Sequence, residues 1–241
     1  MGKPETRARI LAAARELIPG AGVSLPVTAI ARHAGVAIQT IYDQFGSKGG
    51  LLVAVVADVQ ASFGLFARFR DVFRSPDGET AMRRMNEATV AFWAQAWPYL
   101  EFLLRSRRVD PVVGQEMTYV DQLRHAHYWA ITRRLEQEGR LRDGLTADAA
   151  ADRAFALSTP TVYEELAIRR TQSTAAASAA INDAVFGALL AEHRIVKGVE
   201  PPDWPALEAA AAARAIEGGA DPARLSPLWA GTARASETTA S

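Results

Sequence analysis

Residues 33–52, HAGVAIQTIYDQFGSKGGLL, decide how the N-terminal part of this chain is read. A glycine stands where a helix should end, a short mixed segment surrounds a tyrosine, and Gly-Ser-Lys opens an apolar run. Gly35 suits the left-handed backbone just past a helix C-terminus, and Ser47 suits the cap of a helix starting near Lys48. Upstream, PVTAIARHAG puts Val27, Ile30, Ala31 and Ala34 on one helical face behind Pro26, a residue fit for a first helical position. Earlier still, Ile10, Leu11, Ala14, Leu17 and Ile18 share one face of a first helix, which Pro19-Gly20 and Gly22 are expected to stop. A short helix from Ile38 to Phe45 follows the glycine turn. Small Ala31 lets the next helix approach, Gly35 makes the turn, and Val36 and Ile41 plug the second helix onto the first, which is the mechanics of a helix-turn-helix. Ala37, Ile38, Gln39, Thr40 and Tyr42 would then face a major groove about 12 Å wide. A plain helical hairpin with a glycine cap shares the Ala31–Gly35 pattern, so that part alone leaves both readings open.

Around this stretch the chain has 241 residues, 49% of them hydrophobic and 22% charged, enough apolar material for one or two domains. Formal net charge is +0, so a polyanion-binding surface must come from local asymmetry. The first fifty residues show one, with Lys3, Arg7, Arg9, Arg15, Arg32 and Lys48 against only Glu5, Glu16 and Asp43. The absence of cysteine removes disulfides and thiolate chemistry and fits a reducing cytoplasm. Neither a signal peptide nor an apolar run of the ~20 residues that span a bilayer is visible, so a soluble, cytoplasmic protein without a membrane partner is expected.

Beyond Leu51 the pattern is all-α, with helices expected near 48–73, 79–96, 98–108, 112–138, 146–170 and 174–192, and a kink at Pro160. Composition changes after Val199, where one or two weak helices and a disordered end are expected. Three domains result: residues 1–50, 51–198, and a partly disordered extension over 199–241. Aromatic residues crowd the middle, and Trp93, Trp97, Phe102, Tyr128, Trp129 and Tyr163, with His125 and Glu164 as polar handles, are the candidates for an apolar ligand pocket; ordinary core packing explains such rings equally well. His125 and His127, two residues apart on a helix, point apart and cannot chelate together. Glu164 and Glu165 diverge by about 100° and lie within reach of Arg169 and Arg170, which fits a solvated ion-paired face. No phosphate loop, serine nucleophile elbow, zinc signature or cofactor motif is found, so neither enzyme activity, metal nor cofactor is expected.

The string ILAAARELIPGAGVSLPVTAIARHAGVAIQTIYDQFGSKGGLL resembles the DNA-binding domain of the tetracycline-repressor (TetR) family of transcriptional regulators. It is the "GV…TIY…F.SK..LL" portion that carries most of the likeness. The resemblance implies an N-terminal three-helix helix-turn-helix domain and a C-terminal helical domain for ligand binding and dimerisation. Thr40, Tyr42 and Lys48 would then contact phosphates, Ile38 and Gln39 would face the bases, and Thr28 and Arg32 would support the backbone contacts. Several residues depart from the family pattern: Ala37-Ile38 where a serine and a basic residue are frequent, Pro26 in place of a Ser/Thr cap with Ser24 as substitute, Asp43 near the groove, and Gly49-Gly50 at a helix start. One such helix reads few base pairs, so a homodimer is implied, built from the helices near 146–170 and 174–192, with half-sites about 34 Å apart. The expected function is a repressor released from double-stranded operator DNA by a small apolar or aromatic effector. An all-α binding protein or enzyme with a structural N-terminal hairpin is the alternative.

Overall fold

The computed structural model describes residues 3–21, 25–191 and 200–229, and among these it is all-α apart from a single bridge between Leu141 and Leu190. The described chain forms two compact units, one of Met1–Gly64 with Ala94–Tyr119 and one of Leu65–Trp93 with Val120 onward.

In the first unit, α1 (Lys3–Ala21), α2 (Val27–Ala34), α3 (Ile38–Phe45) and α4 (Lys48–Phe63) enclose a small apolar core. Ile10, Ile18, Ile30, Ile41, Leu51 and Val55 are buried there, as the helical spacing predicts. Pro19 does not stop α1. A proline there deprives the Arg15 carbonyl of its usual donor, and the Tyr99 hydroxyl supplies one instead at 2.9 Å. Gly22 and Ser24 lie outside the described residues.

α4 ends at Gly64, where the backbone turns left-handed, and α5 (Leu65–Val72) begins the second unit, so residues 48–73 are two helices rather than one. The reverse correction holds at Trp97-Pro98: α6 (Gly78–Ser106) runs straight through it. A mid-helix proline costs roughly 3 kcal/mol. Trp93, Trp97, Leu100, Phe102 and Leu103 are all buried along this helix, and each large apolar side chain removed from water contributes about 1.5–3 kcal/mol. Packing therefore outweighs the local breaker.

α7 (Pro111–Gln137) is close to its expected span. The expected helix over 146–170 is not continuous: α8 (Ala147–Leu157) ends, Pro160 opens α9 (Pro160–Tyr163), and a π-helical turn (Glu164–Arg169) follows. Thr159 caps α9 by accepting from the Val162 N–H at 3.3 Å, so Pro160 occupies a first helical position where its missing N–H is harmless, and it kinks nothing. α10 (Thr174–Leu189) packs on α8. The described part of the extension forms α11 (Trp204–Glu217) and α12 (Pro222–Trp229). Trp204 anchors it, donating to the Ser75 carbonyl at 2.7 Å with its ring edge-on to Phe73. The chain end expected to be disordered lies outside the described residues.

Candidate functional site

The turn between α2 and α3 is built by backbone and by one unanticipated side chain. Gly35 adopts φ 62 and ψ 42, and its N–H and that of Val36 reach back to the Arg32 and Ala31 carbonyls. The guanidinium of Arg9, from α1, donates to the Ala34 and Gly35 carbonyls that the turn leaves open. The sequence shows Arg9 only as one of several cations; its partners lie more than twenty residues away, beyond any local pattern.

Ile41 is fully buried and fastens α3 to the core, while Ile38 and Tyr42 remain 42% and 41% exposed. Gln39 is also exposed, and Thr40 is half-buried. α3 thus presents Ile38, Gln39 and Tyr42 outward from a rigid support. Ala37 makes no side-chain cap at the start of α3, and neither does Pro26 for α2. Asp43, which looked repulsive toward DNA, accepts from the Gln39 amide at 2.8 Å and holds it with its carbonyl and one N–H still available.

The basic surplus is largely used inside the domain. Arg15 pairs with Asp58 at 2.7 Å, Arg7 lies over the Phe45 ring at 4.4 Å, and Arg9 closes the turn. Arg32 and Thr28 are exposed on α2, and Arg32 has no partner among the described residues.

Lys48 is the main surprise. Ser47 caps α4 as expected, accepting from the Gly50 N–H at 3.0 Å, but the Lys48 ammonium sits 5.0 Å from the centroid of Phe102, and partial burial holds its pKa below the usual lysine value. The two glycines after it are explained by close approach. A Cβ at Gly49 would collide with the Asp110 carboxylate, and one at Gly50 with the Phe45 carbonyl oxygen. What looked like a weak helix start is a packing requirement.

Residues 10–55 match the family described as bacterial regulatory proteins, tetR family. The N-terminal domain is a TetR-family DNA-binding domain. Solved structures share the fold over most of the chain. A putative transcriptional regulator from Saccharomonospora viridis in complex with choline is 20% identical, with TM-score 0.65, covering 78% of this chain and 100% of its own. The transcriptional regulator FadR from Bacillus subtilis in complex with stearoyl-CoA is 18% identical, with TM-score 0.62, over 75% and 98%. NalD, the secondary repressor of the MexAB-OprM multidrug efflux pump in Pseudomonas aeruginosa, is 20% identical, with TM-score 0.59, over 79% and 98%. No curated protein matches the chain significantly.

The second unit gathers only part of the expected aromatic set. Trp93 and Tyr163 tilt against each other with centroids 5.9 Å apart, and the Arg124 guanidinium lies 5.6 Å from the Trp93 ring. Tyr128 is fully buried and donates to the Asn86 carbonyl oxygen at 2.8 Å, while the Asn86 amide donates to Asn182 at 2.9 Å. Burial pushes the Tyr128 phenol up, and the nearby Arg124 pulls it back. Arg124 and Asn86 were not among the expected residues; an arginine and an asparagine inside an amphipathic helix look like surface groups until the partner helices are in place.

The other candidates are placed elsewhere. Phe102 supports Lys48 and, like Trp97, belongs to the first unit. Trp129 is flanked by Arg133 and Arg214, the latter on α11. His125 meets Asp152 at 2.8 Å, and Glu164 meets Arg169 at 3.2 Å. Glu165 pairs likewise with Arg170 at 2.9 Å, and both pairs are five residues apart because the turn is π-helical. His127 does point away from His125: it is buried between Phe69 and Phe73, and desolvation pushes its pKa down to about 4. No cluster fit to hold a metal occurs among the described residues, and none of their helices is by itself long and apolar enough to cross a membrane.

Proposed function

We propose that this chain is a dimeric repressor that binds operator DNA through α3 and is released by a small molecule bound in its C-terminal helical domain. The observation that carries the reading is the division of α3 into a buried anchor, Ile41, and an outward face of Ile38, Gln39 and Tyr42, within a domain of TetR type. On this reading residues 1–50 bind DNA, residues 51–198 bind effector and partner subunit, and residues 199–241 are an extension. Gln39, oriented by Asp43, reads an adenine edge, and Ile38 touches a thymine methyl. Thr40, Tyr42 and Lys48 contact phosphates, with Thr28 and Arg32 beside them. Lys48 leaves Phe102 to do so, exchanging a ring face for an anion. α8 and α10 supply the dimer interface, and the protein works in the cytoplasm, where its operator lies. Structural relatives solved with choline and with stearoyl-CoA support a ligand site in the helical domain.

Fluorescence anisotropy with DNA from around the protein's own gene tests this at two salt concentrations. Specific binding should weaken as salt rises and weaken at least about tenfold in Tyr42→Ala. Equal affinity for random DNA at low salt, unaffected by the substitution, would sink the proposal.

A further inference from the structure

Three helices of the second unit turn polar stripes toward one another where an all-α core is normally apolar. On α6 the stripe is Asn86, Thr89 and Trp93, spaced to share a face; on α7 it is Arg124 and Tyr128; on α10 it is Ser178 and Asn182. Asn86 bonds Asn182, and one turn away Arg83 lies over the Phe186 ring at 4.8 Å, so α6 and α10 run antiparallel in register. The same register brings Thr89 and Ser178 to facing turns on the other side of that bond. Both hydroxyl oxygens are buried, and neither has a hydrogen-bond partner among the described residues; Thr89 is only 4% exposed. Buried hydroxyls without partners cost roughly 1–3 kcal/mol each, so two of them at facing turns, beside a hydrogen-bonded Asn86–Asn182–Tyr128 network, call for an explanation.

Arg124 adds a cation to the same region. It is 8% exposed, donates to the Ser158 carbonyl at 2.6 Å, and reaches its nearest carboxylate, Asp121, only at 3.4 Å. Phe155 and Trp93 lie against its faces. A guanidinium carries five N–H donors, so most of this fork is free to receive an oxyanion, and its planar geometry matches a carboxylate. The π-helical turn after Tyr163 borders the region, a departure from α-geometry that recurs at functional sites.

We propose that this seam is the effector site and that its ligand is a small aromatic carboxylic acid bearing a hydroxyl or keto group. The carboxylate pairs with Arg124, the ring lies beside Trp93 and Tyr163, and the polar substituent meets Thr89 and Ser178. The inference rests on the second unit being the effector domain and goes beyond it by naming the chemistry.

Titration calorimetry of the full-length protein with 4-hydroxybenzoate and with its neutral methyl ester is the test, with DNA anisotropy run on the same samples. The acid should bind at least about tenfold more tightly than the ester and should release DNA. Arg124→Gln should abolish that preference. Thr89→Val should weaken acid binding several-fold without lowering the melting temperature, since it removes only an unpartnered hydroxyl. Should Arg124→Gln fail to fold, the acid-ester ratio and Thr89→Val still decide. Equal binding of acid and ester, or no binding of either, overturns the proposal and leaves the two hydroxyls to water. If the acid fails while an uncharged molecule releases DNA, the regulator reading survives and only the acid class falls. If the protein binds no DNA, the regulator reading fails whatever the calorimetry shows.

Discussion

α3 and the seam beneath Trp93 handle polar residues in opposite ways. On α3 the polar side chains point outward from a single apolar anchor, so the residue that stabilises the helix and those that form its exposed face are different residues of one short helix. In the seam, Asn86, Arg124, Tyr128, Ser158 and Asn182 are themselves buried, and the groups that would recognise a ligand also hold the helices together. An outward face can therefore change without touching the fold. The bonded members of a buried polar seam cannot, because each lost partner strands another group in low dielectric.

The sharpest way to break this contrast is inside α3. Ile41→Ala should lower stability by about 3 kcal/mol in urea unfolding, since a fully buried isoleucine leaves a cavity. Ile38→Ala, three residues away and 42% exposed, should leave the unfolding curve unchanged while weakening specific DNA binding. If both lower stability alike, the separation of anchor from reading face is wrong.

His127 sharpens the comparison by pH. Folded, it stays neutral down to about pH 4; unfolded, it takes up a proton near its ordinary value of 6.5. Between these values the unfolded chain binds more protons, so the His127 contribution is whole above pH 6.5 and is lost as pH falls toward 4. The full difference is about 3 kcal/mol. Urea unfolding at pH 7.5 and pH 5 should show a loss that is clearly smaller in His127→Leu. Glu208, pushed up to about 7 chiefly by burial, works in the opposite sense: its contribution is whole below pH 4.5 and is lost as pH rises through 7. Glu208→Gln should therefore steepen the acid-side loss.

Asn86→Ala should cost about 1–3 kcal/mol, because the Tyr128 hydroxyl and the Asn182 carbonyl both lose their partner. Asn86→Ala combined with Tyr128→Phe should cost less than the sum of the two single changes, the signature of a network. Additive values would mean that the seam is a set of independent contacts.

The smallest expected effect lies at the edge of the DNA-binding domain. Phe102→Leu removes the ring that holds Lys48 and should tighten DNA binding roughly two- to five-fold, in keeping with a partly exposed cation–π contact of about 0.5–1 kcal/mol. Unchanged affinity would show that Lys48 gives nothing to the phosphate.

The helix-turn-helix was legible because its determinants are local. Gly35 supplies a backbone conformation, Ser47 a cap, and Val27, Ile30, Ala31 and Ile41 the spacing of an apolar face, all within a few residues of where they act. The exposed side of the second helix, with Ile38, Gln39, Thr40 and Tyr42, could be named on that basis, and the family resemblance added Thr28, Arg32 and Lys48, whereas Arg9, which closes the turn from another helix, could not be named. In the second unit Trp93, Tyr128 and Tyr163 were visible as aromatic residues, but their company was not. Arg124 and Asn86 become interior groups only when α10 and the segment around Ser158 arrive to bond them.

By itself the sequence determined an all-helical chain with an N-terminal helix-turn-helix and an exposed face on its second helix, since helical period, caps and turn chemistry are properties of neighbouring residues, and the resemblance of that string to the TetR family added the expected family. Tertiary structure decided which breakers break. Pro19 is tolerated because Tyr99, 84 residues from Arg15, satisfies the carbonyl it strands, and Pro98 because burial of the aromatics on either side offsets the cost of continuing α6 through it. It also decided that Gly49 is needed for the approach of Asp110, that Lys48 rests on Phe102, and that the polar groups of three helices meet in one seam. Each of these depends on atoms distant in sequence supplying or denying a hydrogen bond, a charge or space, and no local pattern encodes that.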